Sequence, residues 1–257
     1  MTFREKRIAF QTIVIREVLR FSRIWIQTIL PPVVTTALYF IIFGNLIGSQ
    51  IGDMAGYPYV DYIVPGLIMM SVITNAYANV VSSFYGAKFQ HHIEEMLVSP
   101  IPNALILSGY VAGGVARGLT VGLAVTLTAS VFADLRVHDL GIALAMVLLT
   151  AILFSIGGFI NGIYARSFDD ISLIPTFVLT PLTYLGGIFY SIDMLPEFWQ
   201  KASLANPILY MINSFRYGML GVSDIGLGVS FAITLAFIAV LFAFAVNLLN
   251  RGVGIRS

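Results

Sequence analysis

Long apolar runs alternate with short polar breaks along this chain, and that alternation predicts a helical membrane protein. The runs fall at about 25–47, 60–83, 104–132, 140–164, 171–191 and 228–249. Each is near the roughly 20 residues that a helix needs to cross a bilayer core. Trp25, Tyr57, Tyr59, Tyr62, Tyr190, Phe198 and Trp199 lie near the ends of these runs, where amphipathic rings meet the headgroups. The pattern predicts an all-α membrane protein whose residues 1–257 form a single transmembrane domain, with the six spans within 25–249.

Three segments outside the spans have patterns of their own. Residues 1–24 read as an amphipathic helix: Ile8, Phe10, Val14, Ile15, Val18, Leu19 and Phe21 share one side, and Thr12, Arg16, Glu17, Arg20 and Arg23 the other. Gln11 and Ile13 break the pattern. One reading lays this helix in the headgroup plane with arginines toward anionic lipid; the other leaves it as a solvated leader. Residues 86–99 form a second short helix. Phe89, Ile93, Met96 and Leu97 fall at i, i+4, i+7 and i+8 on one face. Ser99 before Pro100 ends it, because proline pushes its predecessor out of helical geometry. Residues 192–221 are too apolar for a loop and too interrupted for a span. They read as one or two short helices re-entering the membrane, divided at Asn206-Pro207.

Composition confirms the class: 58% of the 257 residues are hydrophobic and 11% charged, with a mean hydropathy of +0.90. A soluble domain carries roughly 25% charged residues. Net charge is +1 and cysteine is absent, so no basic surplus points to nucleic acid and thiolate chemistry is excluded. Of the fourteen Lys and Arg residues, ten lie in the N-terminal segment, the second and fourth loops and the tail, the last including Arg251 and Arg256. Arg136, Lys201 and Arg216 lie in the other connections. The positive-inside bias then puts both termini and the 86–99 helix in the cytoplasm.

Inside the spans, glycines recur four apart at Gly109 and Gly113, at Gly114, Gly118 and Gly122, and at Gly158 and Gly162. Such spacing lets helices approach closely in lipid. Arg117 interrupts this ladder and reads either as a structural ion pair or hydrogen-bond hub, or as a substrate contact. Two polar stripes follow helix faces. One is Ser71, Asn75, Asn79 and Ser82; the other is Thr176, Thr180, Thr183 and Gly187. They serve either as interhelical hydrogen bonds, worth about 1 kcal/mol each, or as the walls of a translocation path. Pro31, Pro32, Pro65, Pro175 and Pro181 punctuate the spans and favour kinks. There is no G-x-x-x-x-G-K-[ST] phosphate loop and no H-E-x-x-H motif. His91 and His92 have no further ligands nearby, so neither a catalytic set nor a metal site is expected.

The chain resembles the permease subunits of type-2 ABC exporters, in particular a bacterial inner-membrane group related to drug- and polysaccharide-export permeases. Three stretches carry the resemblance: LYFIIFGNLIG with YVDYIVPGLIMMSVITNAYANV; FQHHIEEMLVSPIP; and FDDISLIPTFVLTPLTYLGGIFYSIDMLP with NPILYMINSFRYG. It implies six spans, an interfacial N-terminal helix, a coupling helix between the second and third spans, and re-entrant helices before the last. It also implies a second copy of the chain and two separate ATPase subunits, which would hold the ATP and magnesium. Lys88, Phe89, His92, Ile93, Glu94, Glu95 and Met96 would then meet the ATPase, with Phe89, Ile93 and Met96 as apolar anchors. Ser71, Asn75, Asn79, Thr176, Thr180 and Thr183 would lie along the path. The apolar, aromatic and hydroxyl-rich spans with few buried charges suggest an amphipathic or lipid-linked cargo rather than an ion. The alternative that the stripes and prolines leave open is a secondary transporter or channel working without ATP.

Overall fold

Helix α4 (Tyr59–Phe89) is the axis on which the other elements are packed. In its most apolar stretch 83% of residues are buried, against 17% for the Trp25–Gly44 span that begins with α2 (Trp25–Tyr39), and for α12 (Leu227–Arg251). The computed structural model describes residues 1–254. Arg256, counted above with the tail, lies outside the described residues, as does the side chain of Leu97.

Close packing around α4 is set by the glycines. Along α6 (Asn103–Ala129) an added Cβ at Gly114 would lie 2.5 Å from Val80, at Gly118 3.0 Å from Ala76, and at Gly122 2.7 Å from Val72. Along α7 (Leu140–Tyr164) one at Gly158 would lie 2.5 Å from the Tyr77 carbonyl, and one at Gly162 3.0 Å from Phe84. These seams bring backbones together, so dispersion and weak Cα–H contacts replace the hydrophobic effect that lipid cannot supply. The other face of α6, at Gly109, receives Ile13 of α1 (Phe3–Arg23).

Helix α1 starts at a capping box, Thr2 with Glu5, which satisfies two of the free amides at a helix start. Ile13, Glu17 and Phe21, spaced four apart, are buried. Ile8, Ile15 and Leu19 stay about half exposed. The helix therefore has a protein face and a separate apolar face, which explains why Ile13 breaks the two-sided pattern. Glu17, expected on the polar side, is 1% exposed.

The second predicted short helix is shorter than its 86–99 reading. Lys88 and Phe89 end α4, and the chain turns at Gln90 and His91, the latter left-handed at φ 60°. Helix α5 then covers only His92–Val98 and stops at extended Ser99. The turn rotates α5 relative to α4, so the continuous face from Phe89 to Leu97 is broken. Ile93 is 1% exposed, packed with Val80, Phe84 and Tyr110, whereas Phe89 is 61% exposed.

The predicted span at 171–191 is also shorter and broken. It comprises α8 (Asp170–Ile174), a π-helical turn (Pro175–Leu179) and α9 (Thr180–Tyr184), about 22 Å in all against a core of about 30 Å. The Thr180 amide and hydroxyl both donate to the Pro175 carbonyl, so the prolines break the regular ladder without stranding that acceptor. Gly187 at φ 76° then turns the chain away. The segment's two ends meet opposite ends of α4: Phe168 packs on Tyr85, and the Tyr59 hydroxyl donates to the Phe189 carbonyl.

At the far end the chain forms α3 (Gly48–Ile51) and a two-stranded hairpin, β1 (Asp53–Met54) with β2 (Tyr57–Pro58), absent from the all-α reading. Residues 192–221 supply α10 (Glu197–Leu204) and α11 (Pro207–Leu220), split where Asn206 caps the Ile208 amide. Arg216 is buried there, over the Tyr62 ring at 4.1 Å and donating to the Gly187 carbonyl. The C-terminus of α12 returns to the end that holds α1 and α5, where Asn250 bonds Asn103.

If the seams hold the bundle, Gly114→Val lowers thermal stability in detergent by about 1–3 kcal/mol. Gly86→Ala, at a site with nothing within 4 Å, changes it by less than about 1 kcal/mol. Melting curves of the two variants check this.

Candidate functional site

A cleft of about 460 Å³ opens between α2, α4, α6 and the broken helix. Ser71 and Asn75 of α4, Thr180 and Thr183 of α9, and Arg117 of α6 line it. Two residues of each stripe read from the sequence thus face one space. Asn79 and Thr176 do not line it. Asn79 is fully buried and accepts two hydrogen bonds from Arg20 at 2.8 Å, on its carbonyl and its side chain. Thr176 is exposed on the outer side of α8–α9.

The fourth wall was not singled out from the sequence. Gln27, Pro31 and Thr35, and beside them Thr28, Pro32 and Thr36, are each four apart on α2 and line the cleft. The same spacing that revealed the other stripes was available here, but the prolines drew the reading toward a kink instead of a polar face.

Four hydroxyls in the cleft, those of Thr28, Thr74, Thr180 and Thr183, already donate to backbone carbonyls. Thr28 donates to the Ile24 carbonyl at 3.1 Å, Thr74 to Met70 at 2.9 Å and Thr183 to Leu179 at 2.6 Å. The Asn75 amide donates to Ser71. These groups present lone pairs to the cleft, whereas no donated bond occupies the hydroxyls of Thr35, Thr36 and Ser71 among the described residues. Arg117 is fourteen residues, about 21 Å, along α6 from Asn103 and twelve, about 18 Å, from Ala129, so it sits near mid-span. It gives one long hydrogen bond, 3.3 Å to Asn75 Oδ1. Among the described residues it forms no ion pair, and its Nε has no partner. The structural ion pair that the sequence left open is therefore not formed.

Beside the cleft, a charged knot ties α1 to the bundle. Glu17 accepts from Ser83 at 2.8 Å and pairs with Arg16 at 3.4 Å and Arg20 at 3.5 Å. Arg16 also donates to the Tyr110 hydroxyl at 2.8 Å and lies against Met96 of α5. This knot was invisible in the sequence because a lone glutamate among arginines looks like a solvated face.

At the α5 end the residues expected to meet an ATPase divide into two groups. Phe89, His92, Glu94 and Glu95 are exposed. Ile93 is committed to the core, Met96 is half-buried beneath Arg16, and Lys88 donates at 2.7 Å to the Ile163 and Ala165 carbonyls at the end of α7. Ile93 is thus no free anchor in this conformation. Val98, 88% exposed, is a second apolar side chain left open at this end besides Phe89. Phe89 packs edge-on to Phe168 at 5.2 Å, which links α4 to the start of α8.

A bundle with a polar, proline-broken cleft at membrane depth and a short helix exposed at one end is that of a multi-pass membrane permease. Residues 8–220 match the ABC-2 type transporter family, and the chain belongs to that family. It is 58% identical to the inner membrane transport permease YadH of Escherichia coli K12 over 250 residues, 97% of this chain and 98% of that protein. Nodulation protein J of Rhizobium leguminosarum bv. viciae is 24% identical over 237 residues, 92% of each chain. The chain is accordingly a membrane transport subunit of the permease kind, similar to an inner-membrane protein and not itself an enzyme.

Removing the charge at the centre of the knot tests its role. Glu17→Gln leaves two arginines without their anion and lowers stability by about 1–3 kcal/mol. That is below the full cost of opening a buried pair, because both arginines reach solvent. Thermal unfolding in detergent measures it.

Proposed function

We propose that this chain is the membrane half of an ATP-driven exporter of the bacterial inner membrane. In this reading two copies form a twofold pair, each receiving one ATP-binding subunit at its α5 end. Membership of the ABC-2 type transporter family supports an ATPase partner, and the chain carries no phosphate loop of its own. The observation that carries the assignment is the exposed surface of Phe89 and Val98, flanked by His92, Glu94 and Glu95. Apolar groups ringed by charge are the usual core and rim of a protein interface. ATP and magnesium belong on the partner.

Six crossings suit the charge distribution. With α8–α9 as the fifth, both termini and α5 lie on the cytoplasmic side, where ten of the fourteen basic residues gather. Helices α10 and α11 become re-entrant elements at the outer face. The sparse burial of α2 supports a second copy against the open side of the cleft, because closed twofold pairs bury the same patch from both partners.

Transport then follows from the connections of α4. Closure of the ATPase pair pushes on Phe89 and α5. The push reaches the cleft along α4 and reaches α1 through Met96 and Arg16. The broken helix, held loosely to the bundle and jointed at Pro175 and Pro181, opens the cleft alternately to the two sides. An amphipathic or lipid-linked cargo suits a lining of hydroxyls, aliphatic carbons and one cation. A secondary transporter or channel finds no support in the family assignment.

Phe89→Asp combined with Val98→Asp weakens co-purification with the ATPase subunit at least tenfold, since a buried interface aromatic typically contributes more than about 1 kcal/mol. The bundle remains folded because both side chains are already exposed. Undiminished co-purification of a folded double variant overturns the docking assignment.

A further inference from the structure

The cleft contains an unbalanced charge. Arg117 faces it from mid-span, and no carboxylate is among the residues that line it. The buried carboxylate of the α1 knot, Glu17, is already shared by Arg16, Arg20 and Ser83. A guanidinium in a low-dielectric site without a counter-ion is costly, and such groups persist where something supplies the missing charge. Arg216 likewise forms no ion pair among the described residues and has two nitrogens without partners, but it is 1% exposed, covered by the Tyr62 ring and bonded to the Gly187 carbonyl. Arg117 keeps one long bond to Asn75, has an Nε without a partner among the described residues, and borders the open cleft.

The neutral lining points to the rest of the ligand. Thr28, Thr74 and Thr183 spend their protons on their own helices, so what they present to the cleft is lone pairs. A wall of hydroxyls and amides that can both accept and donate favours a ligand with hydroxyl groups, and the guanidinium fork favours an oxyanion such as phosphate. Arg20 stands one turn along α4, on Asn79, where Arg117 stands on Asn75. The two cations are therefore stepped along one helix face, leading from the α1 end into the cleft.

We propose that Arg117 is an anion-binding residue of the transport cleft, and that the cargo is an amphiphile whose phosphate-class anion sits beside hydroxyl groups. This deepens the exporter reading and rests on it.

The test uses the full chain purified in neutral detergent, with three probes. Dihexanoylphosphatidylglycerol carries one phosphodiester and two hydroxyls, dihexanoylphosphatidylcholine has neither net charge nor hydroxyls, and inorganic phosphate has no tail. Binding is read from the concentration-dependent rise in melting temperature. The phosphatidylglycerol probe is expected to bind wild type at least tenfold more tightly than the choline lipid or inorganic phosphate. Arg117→Gln abolishes that preference, Arg117→Lys retains part of it, and Arg136→Gln, in the outer loop, leaves it intact. Equal binding of the two lipids, an equal effect of inorganic phosphate, or wild-type preference in a folded Arg117→Gln variant overturns the proposal. Co-purification with the ATPase subunit, measured on the same samples, separates the two readings. Lost preference with intact association refutes only the anion site, while absent association in wild type refutes the exporter reading itself.

Discussion

The close approach of α4 to α6 and α7 decides almost everything else in this molecule. In lipid there is no water to drive apolar faces together, so helices associate by fitting backbone against backbone. Gly114, Gly118 and Gly122 on one side and Gly158 and Gly162 on the other give α4 that fit. With two faces of α4 committed, Ser71 and Asn75 are left toward the cleft, and Asn79 and Ser83 toward α1. One helix thus forms the wall of the candidate path, receives the charged knot of α1 and ends at the exposed Phe89.

The cleft differs from the seams in how its parts are held. The seams are backbone contacts that tolerate no added atom. The cleft wall formed by α8–α9 is short, carries a π-helical turn, and has bonds rearranged around Pro175. Irregular backbone at membrane depth survives only where protein or a cavity satisfies it, and here the Thr180 amide and hydroxyl do so. A firm core beside a jointed wall is the division of labour that alternating access requires.

Periodicity made the membrane architecture legible, and the glycine spacing named the residues on which helices meet. The stripe spacing put Ser71 with Asn75 and Thr180 with Thr183 on single helix faces, which the structure turns to one cleft, and the division at Asn206-Pro207 falls between α10 and α11. What escaped depended on backbone turns or on partners distant in sequence. A left-handed residue at His91 is not something that sequence pattern reveals, yet it turns Ile93 inward and cuts the short helix to seven residues. Glu17 looks solvated until Ser83, 66 residues away, is placed against it. Asn79 follows the stripe spacing but is taken by Arg20, because α1 covers that end of α4. The predicted span ran past Tyr184 because its composition stays apolar, while the turn at Gly187 is a matter of backbone angle.

The central claim is that force applied at the α5 end reaches the cleft. With no native cysteine, nitroxide labels on Thr35→Cys and Thr74→Cys report the separation of α2 and α4 across the cleft specifically. Pulsed electron–electron resonance on the reconstituted permease with its ATPase subunit measures that distance without nucleotide and with a trapped nucleotide. The account predicts two distinct distance distributions that exchange on nucleotide trapping. An unchanged distribution, in a sample where the ATPase subunit is bound and closed, contradicts it.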